Sequence, residues 1–252
     1  METAFWILLT MLTVWTFAKS SERARSFSRK ASDWVIDLTS LAIHLWGLPL
    51  IQTLILLRMF EWIVPQYRGS VSVGPFVSLG LYVLLDYLWY WNHRLLHSYT
   101  WIWNLHAVHH SAKQVDVFTT ARNSVWSHVF EIYIWFIAGM LYLARDPGWF
   151  VTIVILGSMS NFWTHTMLTF PRMSKAYRWA SFILITPHEH LWHHSTSHSN
   201  TNFATVFSIW DRWHGTLYAP EELPELYGNE YIENPVLQLV LPVPPFAARL
   251  KK

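Results

Sequence analysis

Four long runs with almost no charge limit what this chain can fold into. Residues 147–171 and 38–57 contain no Lys, Arg, Asp or Glu, residues 74–92 contain only Asp86, and residues 124–144 contain only Glu131. A helix of roughly 20 apolar residues crosses the ~30 Å hydrocarbon core of a bilayer, so each run is a candidate span, its one acid facing inward. Residues 3–18 form a shorter uncharged run. No Lys or Arg precedes it as in a secretory signal, so it is read as a retained, tilted or partial span. Composition agrees with a membrane chain. Hydrophobic residues make up 52% and charged residues 13%, the latter about half the usual share. The 17 Trp belong to a residue type favoured at membrane–water interfaces.

Basic residues set the orientation, because Lys and Arg collect in short cytoplasmic loops. Lys19, Arg23, Arg25, Arg29 and Lys30 crowd the loop after the first run, which places it in the cytoplasm. Threading the runs from there leaves only Arg58, Arg68 and Arg145 of the 18 basic residues outside. Residues 93–123 and everything after Phe170 then lie inside. Arg145-Asp146-Pro147-Gly148 reads as a tight turn between antiparallel helices. The four prolines of residues 235–246 argue for surface-lying segments there. No low-complexity linker divides the chain, so residues 1–252 are read as one domain.

Several chemistries are excluded by composition. With no Cys, the chain has no disulfide, thiol nucleophile, Cys-ligated zinc or iron–sulfur cluster. A net charge of +2 is too balanced for a nucleic-acid binder.

Fourteen His remain to be explained. Nine fall into groups: His93 and His97 in HRLLH, His106, His109 and His110 in HAVHH, His165 in NFWTH, and His190, His193 and His194 in HLWHH. Residues three and four apart share a helix face, so each group aims its imidazoles together. Imidazole is the commonest protein ligand for iron, copper and zinc. A structural zinc needs four ligands, whereas nine nitrogens furnish two metals with positions left for oxygen or water. No Glu or Asp stands at the Glu-x-x-His spacing of soluble di-iron bundles from any of these nine His, so the predicted site is nearly all nitrogen. The first two groups follow the span at 74–92, and His165 ends the span beginning near Pro147. The last group lies in the cytoplasmic tail, so all nine meet at one membrane face.

Isolated His44 and His128 read as interfacial or core residues. His188, His198 and His214 lie near the last group but outside its spacing, as supporting or substrate-contacting candidates. Asp86 is two helical turns before His93, a candidate acceptor for a ligand imidazole N–H or an ion-pair partner of Arg94 or Arg122. Asn161 shares a face with His165, as a weak or water-bridged ligand or a helix-to-helix hydrogen bond. Arg122, Asp211 and Arg212 brace the site or pair charges at the surface. Tyr87, Trp89, Tyr90, Trp91 and Trp163 are candidates for a substrate wall or for packing.

The stretch LLDYLWYWNHRLLHSYTWIWNLHAVHHSAKQVDVFTTAR, ending at Arg122, resembles the fatty acid hydroxylase and sterol desaturase superfamily in its HRxxH and HxxHH boxes. TPHEHLWHH followed by NFATVFSIWDRWHGT looks like the third box and the segment after it. The likeness covers about half the chain, and its FWTH segment and box spacing are most like the alkylglycerol monooxygenase and bacterial sterol-desaturase-like branches. Trp213-His214 departs from the pattern, which has Leu-Phe or Ile-Phe before Gly-Thr. The resemblance implies a non-haem di-iron membrane enzyme that uses O2 to hydroxylate or desaturate a lipid. It implies two iron ions, replaceable by zinc, on the nine histidines just named. With no Cys cluster and no Gly-rich dinucleotide fingerprint, electrons must come from a separate reductase, ferredoxin or cytochrome.

The expected fold is therefore all-α: a polytopic membrane bundle of about four to five spans with a cytoplasmic histidine-rich helical cap holding a dinuclear metal site. The metal-binding core is placed at residues 86–215. The rival from another class is a divalent-metal transporter or sensor. Transport sites sit near the bilayer midplane, whereas these histidines crowd helix ends.

Overall fold

The computed structural model describes residues 2–18, 28–169, 174–229 and 235–240. They form helices α1 (Glu2–Ala18), α2 (Ala31–Ile63), α3 (Pro75–Ser98), α4 (Thr100–His106), α5 (Ser127–Phe130), α6 (Ile132–Leu143), α7 (Gly148–Thr164), α8 (Lys175–Ile183), α9 (Pro187–His193), α10 (Ile209–His214) and α11 (Pro235–Val240). Short 3-10 turns lie at His109–Ser111 and Val117–Ala121. Among the described residues there is no strand, only isolated bridges, so the expected all-α class holds.

The helix ends follow from local chemistry. Pro75 opens α3 at a position whose N–H would have no intrahelical partner. Thr186 and Glu189 form a reciprocal capping box at the start of α9, with Pro187 at its first position. Gly215 closes α10 in the left-handed region, at φ 68°, where a side chain would be strained. The predicted turn between α6 and α7 is present. The Asp146 carboxylate accepts from Gly148 N–H at 3.0 Å, and Arg145 N–H donates to Val71 O at 2.8 Å.

α2 is 33 residues long, a length of ~50 Å, and contains the predicted span at 38–57. It is the one helix among the described residues long and apolar enough to cross a bilayer. Its helix widens into π turns at Ile43–Gly47 and Gln52–Leu56. Large apolar side chains such as Trp46, Leu54 and Trp62 stay exposed along it, as on a lipid-facing surface. The 24 residues of α3 include the predicted run 74–92 and continue through His93 and His97. α1 and α7, at 17 residues each, stand at the short end of the spanning range.

The run at 124–144 is not one continuous helix. The chain breaks at Glu131, extended at φ −80° and ψ 114°, leaving α5 and the 12-residue α6. Asn92 of α3 holds that break, its Nδ2 donating to Phe130 O and its Oδ1 accepting from Ile132 N–H, both at 3.3 Å.

α3 packs between α6 and α7, α1 lies on α7, and α6 also packs on the later part of α2. Gly157 of α7 faces Tyr82 of α3 so closely that a Cβ would fall 1.5 Å from the Tyr82 hydroxyl. Small residues allow such close approach between membrane helices. At the C-terminal end, Leu239 of α11 is buried with Ile36 and Val108, and its carbonyl accepts from Val125 N–H at 2.9 Å. Residues 241–246 of the proline-rich segment lie outside the described residues, as do Lys19, Arg23 and Arg25 of the basic loop.

Candidate metal centre

The C-terminal ends of α3, α4 and α7, the turn after α4, and α9 with the residue after it bring the nine grouped histidines together. They form two clusters, His93, His97, His106, His110 and His193 in one, and His109, His165, His190 and His194 in the other. Within each, one ring nitrogen per residue lies within 4.8 Å of all the others, and every member is buried. Both HxxHH boxes divide between the clusters. Neighbouring residues on a helix point about 100° apart, so His109 and His110 face different clusters.

Backbone carbonyls fix four of the rings. His93 Nδ1 donates to Phe203 O at 2.8 Å, His109 Nδ1 to Arg122 O at 3.1 Å, His165 Nδ1 to Asn161 O at 2.9 Å and His193 Nδ1 to Thr201 O at 2.7 Å. A carbonyl can only accept, so each of these rings carries its proton on Nδ1 and presents a bare Nε2. Ligating histidines are oriented in this way in metal sites generally.

The ring nitrogens of the clusters crowd against one another. His109 Nε2 and His165 Nε2 are 3.3 Å apart, two lone pairs in contact with no proton between them. His190 Nε2 is 3.0 Å from His165 Nε2 and 3.1 Å from His194 Nε2, and His93 Nε2 is 3.0 Å from His106 Nε2. His193 Nε2 and both ring nitrogens of His110 are buried without a hydrogen-bond partner. Protonation does not relieve this crowding at neutral pH. Burial, followed by the neighbouring imidazoles, holds the imidazolium forms of His109, His190 and His193 well below the usual histidine range. A cation does relieve it. Metal–nitrogen bonds of ~2.0–2.1 Å put ligand nitrogens roughly 3–4 Å apart, the spacing observed. The residues fit one metal per cluster.

Loops brace these histidines. Asp211, fully buried, accepts from Phe203 N–H at 2.8 Å, Ala204 N–H at 2.9 Å and Thr216 Oγ1 at 2.7 Å. It thereby holds the Phe203 carbonyl on which His93 hangs. Arg122 is buried too. Its Nε donates to Asp37 at 2.6 Å, Nη2 to Asp33 at 2.6 Å and Nη1 to Ser111 Oγ at 3.1 Å. Arg29 also bonds Asp37 and Asp116. This buried network fixes the Arg122 carbonyl against His109, and removal of one charge from such a network costs about 3–5 kcal/mol.

The remaining candidates fall outside the clusters, and Asp86 departs from both of its expected roles. Asp86 bonds no ligand imidazole and neither arginine. Its carboxylate accepts from Val206 N–H at 3.2 Å, Phe207 N–H at 3.1 Å and Trp210 Nε1 at 2.8 Å, tying the loop after α9 to α3. Asn161 meets His165 through its backbone carbonyl instead of its side chain. Arg212 donates to Ser181 O at 2.9 Å, away from the clusters. His188 bonds Pro220 O at 2.6 Å, and His198 stacks on Tyr218 at 4.1 Å. His214 lies 3.2 Å from the Tyr87 hydroxyl and stacks on Tyr90. Tyr87, Tyr90 and Trp91 belong to that aromatic stack with Trp210 and Trp213.

A cavity of about 180 Å³ opens beside both clusters. His93, His106, His109, His165 and His190 meet it at one side, and Tyr82, Leu85, Ile137 and Val154 form apolar wall. Of the predicted aromatic wall, Trp89 alone lines it. Sequence reasoning missed His44 and Asn123, which also line it, and gave Glu131 no role beyond facing inward. The available signal was an acid standing alone in an apolar run.

Comparison with known proteins points the same way. The fatty acid hydroxylase family model matches residues 78–216, a span holding all nine clustered histidines. Alkylglycerol monooxygenase from Danio rerio is 32% identical over 146 residues, 57% of this chain and 31% of that protein. The ornithine lipid hydroxylase OlsE of Rhizobium tropici is 32% identical over 146 residues, 57% of this chain and 42% of its own. Methylsterol monooxygenase 1-3 of Arabidopsis thaliana is 31% identical over 148 residues, 55% of this chain and 47% of its own. The chain thus spans about a third to a half of the length of these relatives. No solved structure matches it. With the family match covering more than half of the sequence and enclosing every residue of the paired histidine clusters, the chain belongs to the fatty acid hydroxylase family.

Proposed function

We propose that the chain is an oxygen-dependent di-iron membrane oxidoreductase that hydroxylates, or desaturates, a C–H position of a lipid such as a fatty acyl chain, ether lipid or sterol. The observation that carries this reading is two buried all-histidine clusters opening on one largely apolar cavity. His93, His97, His106, His110 and His193 would hold one iron, and His109, His165, His190 and His194 the other. Iron held there would supply the activation of dioxygen needed to attack an unactivated C–H bond.

The chain's own residues do the rest. Leu85, Ile137 and Val154 take up the alkyl part of the substrate and keep water from it, which gains roughly 25 cal/mol per Å² of apolar surface buried. The carbonyl-anchored rings hold their Nε2 atoms fixed, so no ligand rearrangement is needed when substrate enters. Electrons come from an external donor, a reductase, ferredoxin or cytochrome.

The membrane reading is a bundle of about four to five spans, the histidine clusters lying at the cytoplasmic edge. α2 and α3 are long enough to span, while α1, α7 and the broken α5–α6 pair are short and reach across where the bilayer thins around them. Tags after His110 and at the C terminus are expected to report the cytoplasm, and a tag near Arg68 the opposite side. Opposite sides for the first two would be incompatible with one shared centre.

The direct test is metal content. Purified protein is expected to hold about two irons per chain, with zinc substituting on overexpression because intrinsic affinity does not favour iron. Protein without retained metal, together with divalent-metal flux across vesicles, would instead support transport.

A further inference from the structure

Three polar side chains of the cavity lining, His44, Asn123 and Glu131, are not required by an alkyl chain. They come from three separate elements. His44 lies on the first π turn of α2, and its Nδ1 is enclosed without a hydrogen-bond partner. Asn123, in the segment before α5, presents an enclosed Oδ1 that likewise has no partner. Glu131, 1% exposed, sits at the break between α5 and α6 and accepts from His128 Nδ1 at 2.9 Å. Asn92 pins that break to the helical turn that carries His93.

Each feature is costly unless it serves something. An enclosed polar atom without a partner costs about 1–3 kcal/mol. π turns recur at functional sites, and an acid in an apolar span is a functional candidate by default. All three line the same cavity, and the His44 ring lies 6.4 Å from the His128 ring that donates to Glu131, so a ligand group there would complete the open hydrogen bonds of His44 and Asn123.

The donor and acceptor inventory identifies that group. Asn123 Oδ1 and the Glu131 carboxylate only accept, while His44 Nδ1 takes either role. An ether or ester oxygen, also only an acceptor, would oppose them. A hydroxyl donates to one and accepts from the imidazole. We propose that His44, Asn123 and Glu131 form a subsite for a free hydroxyl on the lipid, and that this anchor sets which carbon comes to the histidine clusters. The inference rests on the cavity being the lipid pocket of the proposed hydroxylase.

The test uses metal-loaded full-length protein in detergent and two probes of matched chain, tritiated hexadecan-1-ol and its methyl ether. The alcohol is expected to bind at least about tenfold more tightly, a difference of ~1.4 kcal/mol. In Asn123→Leu and His44→Phe that preference is expected to collapse to about the level of the ether, whose own binding stays unchanged. Equal binding of the two probes by the wild-type protein overturns the subsite, as does a preference that survives both substitutions. Iron content measured on the same samples separates the two readings. Two irons with no alcohol preference removes only the subsite; an alcohol preference without metal removes the hydroxylase.

Discussion

Alanine at His109 or His193 is expected to lower bound metal below two per chain and to reduce activity by more than about a hundredfold. His109 belongs to the cluster of four and His193 to the cluster of five, so each replacement tests a different metal position. Loss of an outer partner of a ligating histidine already costs about 10–100-fold, and loss of the ligand itself costs more. His109→Ala also removes one of the two bare nitrogens held 3.3 Å apart. If that crowding is what a cation relieves, the metal-free variant is no less stable than the metal-free parent at that contact. His198→Ala is the control, since its ring stacks on Tyr218 and belongs to neither cluster. Elemental analysis of purified variants with a melting curve for each decides the matter. Full metal retention in both variants, with activity intact, would defeat the ligand assignment.

Why these nine histidines could be found from sequence is a matter of spacing. HxxxH and HxxHH repeat the helical period, and short local elements carry that geometry directly into space. Their division into five and four was not legible. It depends on how the 3-10 turn at His109–Ser111 continues from α4 and on how α9 packs across both boxes, which are tertiary facts. The same limit explains Asp86. Its position on the buried face of α3 followed from the period of the helix, but its partners are N–H groups of an irregular segment at 206–207, whose path no periodicity encodes. The run at 124–144 misled for another reason. Its apolar composition is continuous, yet Asn92 from a different helix satisfies the backbone at the break, and hydropathy is blind to that partner. Arg122 and Asp211 were legible as candidates and ambiguous in role, because only packing distinguishes a buried brace from a surface pair.

The isotope experiment has the largest consequence for chemistry. With labelled O2 and ordinary water, a hydroxylated product is expected to carry the label; with ordinary O2 and labelled water it is expected to carry none. The geometry supports this direction. The cavity meets five of the clustered histidines, and Leu85, Trp89, Ile137, Val154 and Phe162 contribute apolar lining, which favours a hydrocarbon chain and a small neutral gas over bulk water. Neither cluster contains a carboxylate at ligand distance, so no cluster member is a carboxylate base that would deprotonate a water for hydrolysis. A desaturase outcome, an alkene with no retained label, would leave the metal assignment standing and change only the fate of the C–H bond. Label entering from water is the decisive contrary result. It would mean that the two clusters activate water, and the histidines would then serve a metal-dependent hydrolase or hydratase built on the same frame.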